Sequence, residues 1–159
     1  MRGKPAPKRV IDPDPKYNST VVAKFINTIM KSGKKTTAQN VVYGAMEIIG
    51  TKEFEDKKLV PLEVFNKAMK TIGPSVETRS RRVGGANYQI PRTVRPERRQ
   101  ALAFRWMIEA ARKKKGKTMA EKLASELIAA SQGEGDAVKK KQDVQKMAES
   151  NRAFAHFAR

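Results

Sequence analysis

The segment from Pro74 to Lys115 constrains the fold of this chain most, because it predicts a hairpin followed directly by a long helix. Two runs rich in β-forming residues, Val76 to Val83 and Asn87 to Val94, are joined at Gly84-Gly85-Ala86-Asn87. Glycine supplies the positive φ that a tight hairpin turn needs. Neither run sustains an apolar alternation, so we predict a two-stranded arm that projects from the body with neither face buried.

The residues after the arm predict an amphipathic helix with a basic stripe. Pro96 suits the first turn of a helix, and Glu97 suits its N-terminus. At helical spacing the apolar and basic residues separate onto different faces: Phe104, Met107, Ile108 and Ala111 on one, and Arg95, Arg98, Arg105 and Arg112 on the other.

Charge narrows the class of partner. From Arg79 to Lys115 there are twelve Lys or Arg residues and two acids, Glu97 and Glu109, and the chain of 159 residues carries a net charge of +18. Arginine presents a planar fork of donors that matches phosphate. So large a charge repels itself unless counter-charge is nearby, which indicates a nucleic-acid partner. No window is apolar enough to span a membrane.

The sequence predicts neither an enzyme nor a metal or cofactor site. There is no cysteine, and the single histidine, His156, has no second ligand near it. Acidic residues such as Asp12, Asp14 and Glu53 fall in predicted loops, where we expect solvated charge or local counter-ions. The N-terminus lacks the apolar run of a secretory signal, so we expect a cytosolic protein.

The remaining pattern predicts a mainly α single domain, 1–159, of about six helices, with the hairpin arm, 75–94, between the third and fourth. We expect residues 1–17 to form an extended basic arm and residues 150–159 to form a C-terminal tail.

Capping boxes are expected at Thr36 with Gln39 and at Thr118 with Glu121. Further expectations concern single residues: Ser19 or Asn18 and Asp136 as helix caps, Trp106 and Met147 in the core, and Tyr88 as an exposed contact near the arm tip.

Several motifs together resemble one family. Ser80-Arg81-Arg82-Val83-Gly84-Gly85-Ala86-Asn87-Tyr88-Gln89-Ile90-Pro91 is similar to the arm of bacterial-type small-subunit ribosomal protein seven. Arg95-Pro96, Arg98-Arg99, Leu102-Ala103 and Arg105-Trp106 continue the match, as do Gly33-Lys34-Lys35, Ala137-Val138-Lys139-Lys140 and Asn151 with Ala153-Phe154-Ala155-His156.

The resemblance implies a helical protein that binds small-subunit rRNA early and nucleates folding of the subunit head. It implies a position near the exit site, with the hairpin close to tRNA and mRNA. The neighbours it implies are other small-subunit proteins, expected to be the ninth and eleventh, in a cytoplasmic ribosome, although an organellar ribosome stays open.

Charge and resemblance together give the predicted rRNA-binding set. It comprises Arg2, Lys4, Lys8, Arg9, Lys34, Lys35, Thr36, Arg79, Arg81, Arg82, Arg92, Arg95, Arg98, Arg99, Arg105, Arg112, Lys113, Lys114, Lys115, Lys117, Lys139 and Lys140. The predicted tip near tRNA and mRNA comprises Val83, Gly84, Gly85, Ala86, Asn87 and Tyr88.

Two other classes of function fit this basic chain less well than rRNA binding does. An architectural DNA-binding protein would place the β-arm in a groove, but such proteins usually form symmetric dimers, and no heptad seam is present. An RNA-modifying enzyme would need a nucleophile, a metal cluster or a cofactor loop, and the sequence offers none.

Overall fold

The computed structural model describes residues 3, 6–7, 9–54 and 57–158, with backbone only at 53, 54, 57, 58, 83, 157 and 158. Within this part of the chain there are six α-helices and a two-stranded hairpin between the third and fourth of them, in agreement with the predicted fold. A second small antiparallel sheet, in the connection between the second and third helices, was not predicted. The helices are α1 Thr20–Ile29, α2 Lys35–Gly50, α3 Pro61–Ile72, α4 Pro96–Lys113, α5 Met119–Gln132 and α6 Asp136–Ser150. The strands are β1 Glu53–Phe54, β2 Lys57–Lys58, β3 Val76–Val83 and β4 Ala86–Thr93, and a 3-10 helix follows at Arg152–Ala158.

Helix α5 lies at the centre of the body and contacts α2, α3, α4 and α6. Its residues Leu123, Ala124 and Leu127 are fully buried, as their helical spacing predicts. Around it the rings of Phe65 and Phe104 pack edge-on against Phe25 at 5.4 and 5.3 Å between centroids. The apolar faces read from the sequence therefore meet in one core.

The helix starts show which capping predictions were right. Ser19 caps α1 by accepting the Val22 N–H, and Thr118 caps α5 by accepting the Glu121 N–H at 3.4 Å. The capping box at Thr36 was wrong, because α2 begins at Lys35 and no side chain caps it. Asp136 is likewise the first residue of α6 and not its cap.

A buried carboxylate that the sequence analysis missed holds the start of α6. Glu126 is fully buried, and its Oε1 accepts the Ala137 N–H at 3.0 Å. Its Oε2 lies 2.7 Å from the Lys114 ammonium. Gly135, with φ +99°, allows this approach, since a Cβ there would lie 2.7 Å from the carboxylate. One side chain thus joins the α4–α5 turn, α5 and α6.

The hairpin turn is tighter than expected. Residues 84 and 85 alone connect the strands, with φ of +57° and +88°. Two central residues with positive φ are the feature of a type I′ turn, whose twist matches that of the flanking strands. Val83 pairs with Ala86 and Arg81 with Tyr88, so the register continues without a bulge to Val76 and Thr93.

The arm is not free along its whole length, which corrects the prediction that neither face is buried. Ile90 is 4% exposed, and α6 packs on β3 while the 3-10 helix packs on β4. The Tyr88 ring lies 4.8 Å from the ring of Phe154, so Tyr88 is half-buried against the C-terminal segment. Met147, expected in the core, is 43% exposed and accepts the Thr78 hydroxyl at 3.4 Å.

Two neighbouring arginines connect the base of the hairpin to the start of α4. Arg98 Nε lies 3.1 Å from Glu77 Oε2 on β3. Arg99 Nε donates to the Gly73 carbonyl at 3.1 Å, at the junction between α3 and the hairpin. A two-stranded ribbon is marginal alone in water. These contacts, with α6 and the 3-10 helix, therefore fix the direction of the arm.

The N-terminal segment is held by Asp14, which is buried and so is not solvated charge, one of the two roles expected for it. Asp14 is 3% exposed and accepts the backbone N–H groups of Lys16 and Tyr17, both at 3.1 Å. The Tyr43 hydroxyl on α2 donates to Asp14 at 2.7 Å. Burial, together with this hydrogen bond, raises the pKa of Tyr43 to about 12. The extended arm predicted for residues 1–17 therefore ends in a turn fixed to α2.

Replacing Glu126 by alanine is expected to lower the free energy of unfolding by about 2–3 kcal/mol. The change removes the hydrogen-bond acceptor at the start of α6 and leaves Lys114 without its counter-charge. Urea unfolding followed by circular dichroism measures the difference. Glu134 is exposed in the loop between α5 and α6, and Glu134→Ala is the matched control. Its free energy of unfolding should stay within about 0.5 kcal/mol of the parental value. Equal losses in the two variants would contradict the role of Glu126.

Stability is expected to fall between pH 10 and pH 12 partly because Tyr43 ionises. Its folded pKa of about 12 lies above its ordinary value, so the unfolded chain loses the Tyr43 proton first. The stabilisation is complete below pH 10 and is lost as the pH rises through 12. Urea unfolding should show a shallower fall in this window for Tyr43→Phe than for the parent, and parallel curves would contradict the assignment.

Candidate nucleic-acid interface

The basic stripe of α4 is exposed as predicted. Arg95, Arg98, Arg105 and Arg112 all lie at the surface, while the opposite side of the helix is buried. Trp106 is 8% exposed, which confirms core packing as its role. Within the described residues neither Arg105 nor Arg112 forms an ion pair. These two guanidinium groups are therefore available to an external anion.

Arg98 and Arg99 have internal partners as well as exposed surface. The Arg98 side chain is 47% exposed although it pairs with Glu77. Arg99 is exposed and holds the Gly73 carbonyl. Such contacts restrict the rotamers of long side chains, so the entropy lost on binding a phosphate is smaller. Arg98 and Arg99 therefore hold the base of the hairpin in its orientation while their side chains stay partly exposed.

The start of α2 brings together basic residues that are distant in sequence; we call this set the α2 junction. Lys34, Lys35 and Thr36 are exposed there. Lys35 lines one cleft with Arg9 of the N-terminal segment, and Lys34 lines another with Arg112 at the end of α4. The α2 junction therefore comprises Arg9, Lys31, Lys34, Lys35 and Arg112.

Lys31 belongs to the α2 junction and was missed by the sequence analysis. It is exposed just after α1 and lines the same cleft as Lys34 and Arg112. A signal was present in the sequence, because Lys31 lies directly before the Ser32-Gly33 helix stop and close to Lys34.

The hairpin presents exposed arginines along much of its length, including the part that packs on the body. Arg79, Arg81, Arg82 and Arg92 are exposed. Cross-strand partners share a face, so Arg79 and Arg81 lie on the face of Ile90 and Tyr88, and Arg82 lies on the other. The described tip residues, 84–87, are exposed, whereas the side chain of Val83 lies outside the described residues.

The α4–α5 turn contributes fewer external cations than predicted. Lys113, Lys115 and Lys117 are exposed. Lys114 instead lies 2.7 Å from Glu126 and donates to Ser125 Oγ at 3.0 Å. Its ammonium therefore neutralises a buried acid of the fold, which is a different role from the predicted RNA contact.

The first turns of α6 expose Lys139 and Lys140, as predicted. The Lys139 ammonium lies 3.9 Å from Asp136, a surface pair of little energetic weight. Lys141 points back toward α3 and donates a hydrogen bond of 2.6 Å to the Thr71 carbonyl at the end of that helix.

Arg152, which was not predicted, lines a cleft with Arg92 beside β4. The predicted Arg2, Lys4 and Lys8 lie outside the described residues.

The arrangement has the chemistry of a polyanion-binding surface. In the described part of the chain no three His, Cys, Asp or Glu residues group as a metal site would require. Among those same residues no helix is long and apolar enough to cross a bilayer. The N-terminal segment, α2, α4, α6 and the hairpin all contribute cationic side chains to this surface, and the helical body holds these elements in place.

Known proteins resemble this chain over nearly its whole length. The family model described as ribosomal protein S7p/S5e matches residues 1–152. Small ribosomal subunit protein uS7 of Francisella tularensis subsp. holarctica (strain OSU18) is 58% identical over 152 residues, which are 96% of this chain and 95% of that protein. The protein of the same name from subsp. novicida (strain U112) is 57% identical over the same shares. The chain therefore belongs to the ribosomal protein S7p/S5e family and is a structural, non-enzymatic protein of the small ribosomal subunit.

Proposed function

We propose that this protein is a primary rRNA-binding protein that nucleates assembly of the head of the small subunit. Family membership supports a place in a bacterial-type small subunit, within a cytoplasmic ribosome. The exposed basic surface supports direct contact with folded rRNA. Neighbouring proteins, expected to be the ninth and eleventh of the subunit, would cover part of the remaining surface.

The convergence of cations at the α2 junction is the observation that carries this proposal. Arg9, Lys34 and Arg112 come from three parts of the chain, and the fold brings each beside the start of α2. A surface of this kind neutralises phosphates where RNA helices approach one another and would otherwise repel. Each such contact releases condensed counter-ions, so the affinity falls as salt rises. Such RNA is recognised through shape, backbone and flipped-out bases more than through groove edges.

The hairpin supports the second part of the proposal, a position near exit-site tRNA and mRNA. Glu77 and Arg98 hold its base, and the Tyr88–Phe154 contact holds it at the third residue pair from the turn. Residues 84–87 at its tip are exposed. An arm with a fixed base and an exposed tip can reach a ligand beyond the primary RNA site in a constant direction. The tip is then an accessory contact whose loss leaves primary binding in place.

Replacing Arg105 and Lys35 by glutamine in one variant tests the primary interface. Removing two phosphate contacts should lower the slope of log affinity against log salt by about two for a folded head-domain rRNA fragment. Filter binding over a salt series measures the slope. Arg98 is left unchanged because it also pairs with Glu77.

The matched control replaces Lys67 and Lys70 by glutamine; both are exposed lysines of α3 outside the predicted interface. This control should keep the parental slope, with both variants unchanged in circular dichroism. An Arg105 and Lys35 variant with the parental slope would show that these residues do not meet phosphate.

Shortening the hairpin by two cross-strand residue pairs tests the role of the tip. Deleting residues 82, 83, 86 and 87 keeps the two-glycine turn and places it directly after the Arg81–Tyr88 pair, so register and the Phe154 contact survive. Primary rRNA affinity should change by less than about threefold, since at most one cation is lost. Crosslinking of tRNA to the protein in reconstituted subunits should fall. Loss of primary binding, or unchanged crosslinking, would contradict the accessory role.

A further inference from the structure

An apolar cleft opens within the α2 junction. Its walls are Ile29 and Met30 at the end of α1, Ala38 and Val41 on α2, and Met119 at the start of α5. The cleft has a volume of about 240 Å³. That is slightly below the roughly 300–1,000 Å³ of sites that hold drug-sized ligands, so one group smaller than such a ligand fits it.

The rim of the cleft is cationic. Lys31, Lys34 and Arg112 line it, and all three are exposed. Within the described residues none of the three has a carboxylate partner. The exposed Thr37 completes the edge with a hydroxyl group. A ligand complementary to this site has an apolar part and at least one anionic group close beside it.

We propose that this cleft receives one unstacked nucleobase of the rRNA, with the flanking phosphates on Lys31, Lys34 and Arg112. This inference rests on the proposed rRNA binding and specifies what one part of that surface recognises. A continuous RNA helix presents phosphates but keeps its base faces stacked inside, so it would leave the apolar walls unused. A nucleotide in a loop or bulge exposes both the base face and its phosphates. Cations alone would bind phosphate without a cleft, and the apolar walls add a contribution that is independent of salt.

Thr37→Phe in the full chain tests the cleft, because a ring at the exposed edge occupies the space without removing a charge. Its affinity for the folded head-domain rRNA fragment should be about tenfold weaker at every salt concentration, with an unchanged salt slope. Lys31→Gln should instead reduce the slope by about one. Thr51→Phe, an exposed threonine at the far end of α2, is the matched control and should bind as the parent does.

A second measurement changes the RNA and leaves the protein intact. Abasic substitution is scanned over the unpaired nucleotides of the fragment, and binding is measured with the parent and with Thr37→Phe. One position should weaken parental binding by about tenfold and have little further effect in Thr37→Phe, because both changes remove the same contact.

The outcomes separate the two proposals. A parent that binds the fragment, together with a Thr37→Phe variant of equal affinity, would overturn the base-binding cleft alone. The absence of any abasic position coupled to Thr37 would do the same. A parent that fails to bind the fragment would overturn the proposed function itself.

Discussion

An excess of positive charge is the constraint on which the rest of this structure depends. The chain has 34 Lys or Arg residues against 16 Asp or Glu, and so large a net charge opposes compaction. Three acids pair with cations at places where segments meet. Glu47 holds Lys16, Glu77 holds Arg98 and Glu126 holds Lys114. Negative charge thus stabilises the connections between elements, and the cations on the outer faces remain for an external polyanion.

This distribution links the fold to function. The buried Glu126 fixes the start of α6, and α6 in turn supports β3. Glu77 and Arg98 set the hairpin on α4, and Asp14 sets the N-terminal segment on α2. Basic side chains from separate elements are therefore presented in one fixed arrangement. A pre-arranged surface loses less conformational entropy on binding, which suits a protein that contacts RNA early in assembly.

The sequence predicted much of what depends on local pattern and missed what depends on long-range contact. The period of α4 and the Thr118 cap are local, and both were confirmed. The caps expected at Thr36 and Asp136 are also local but were wrong, because α2 begins one residue before Thr36 and α6 begins at Asp136 itself. The Tyr88–Phe154 contact and the Asp14–Tyr43 hydrogen bond join residues distant in sequence, and both were missed. Glu126 left a readable signal, since a charged residue on the apolar face of α5 needs a buried partner. The convergence of Lys34 with Arg112 required the tertiary fold.

The most direct measurement compares the full chain on two polyanions of equal length at about 0.2 M salt, where non-specific electrostatic binding is weak. One is a folded head-domain rRNA fragment and the other is duplex DNA. If the cationic surface is arranged for folded RNA, the rRNA fragment should bind at least about a thousandfold tighter than the duplex, a ratio typical of specific over non-specific recognition. Equal affinity for the two would contradict the account, because it would mean that charge alone determines binding.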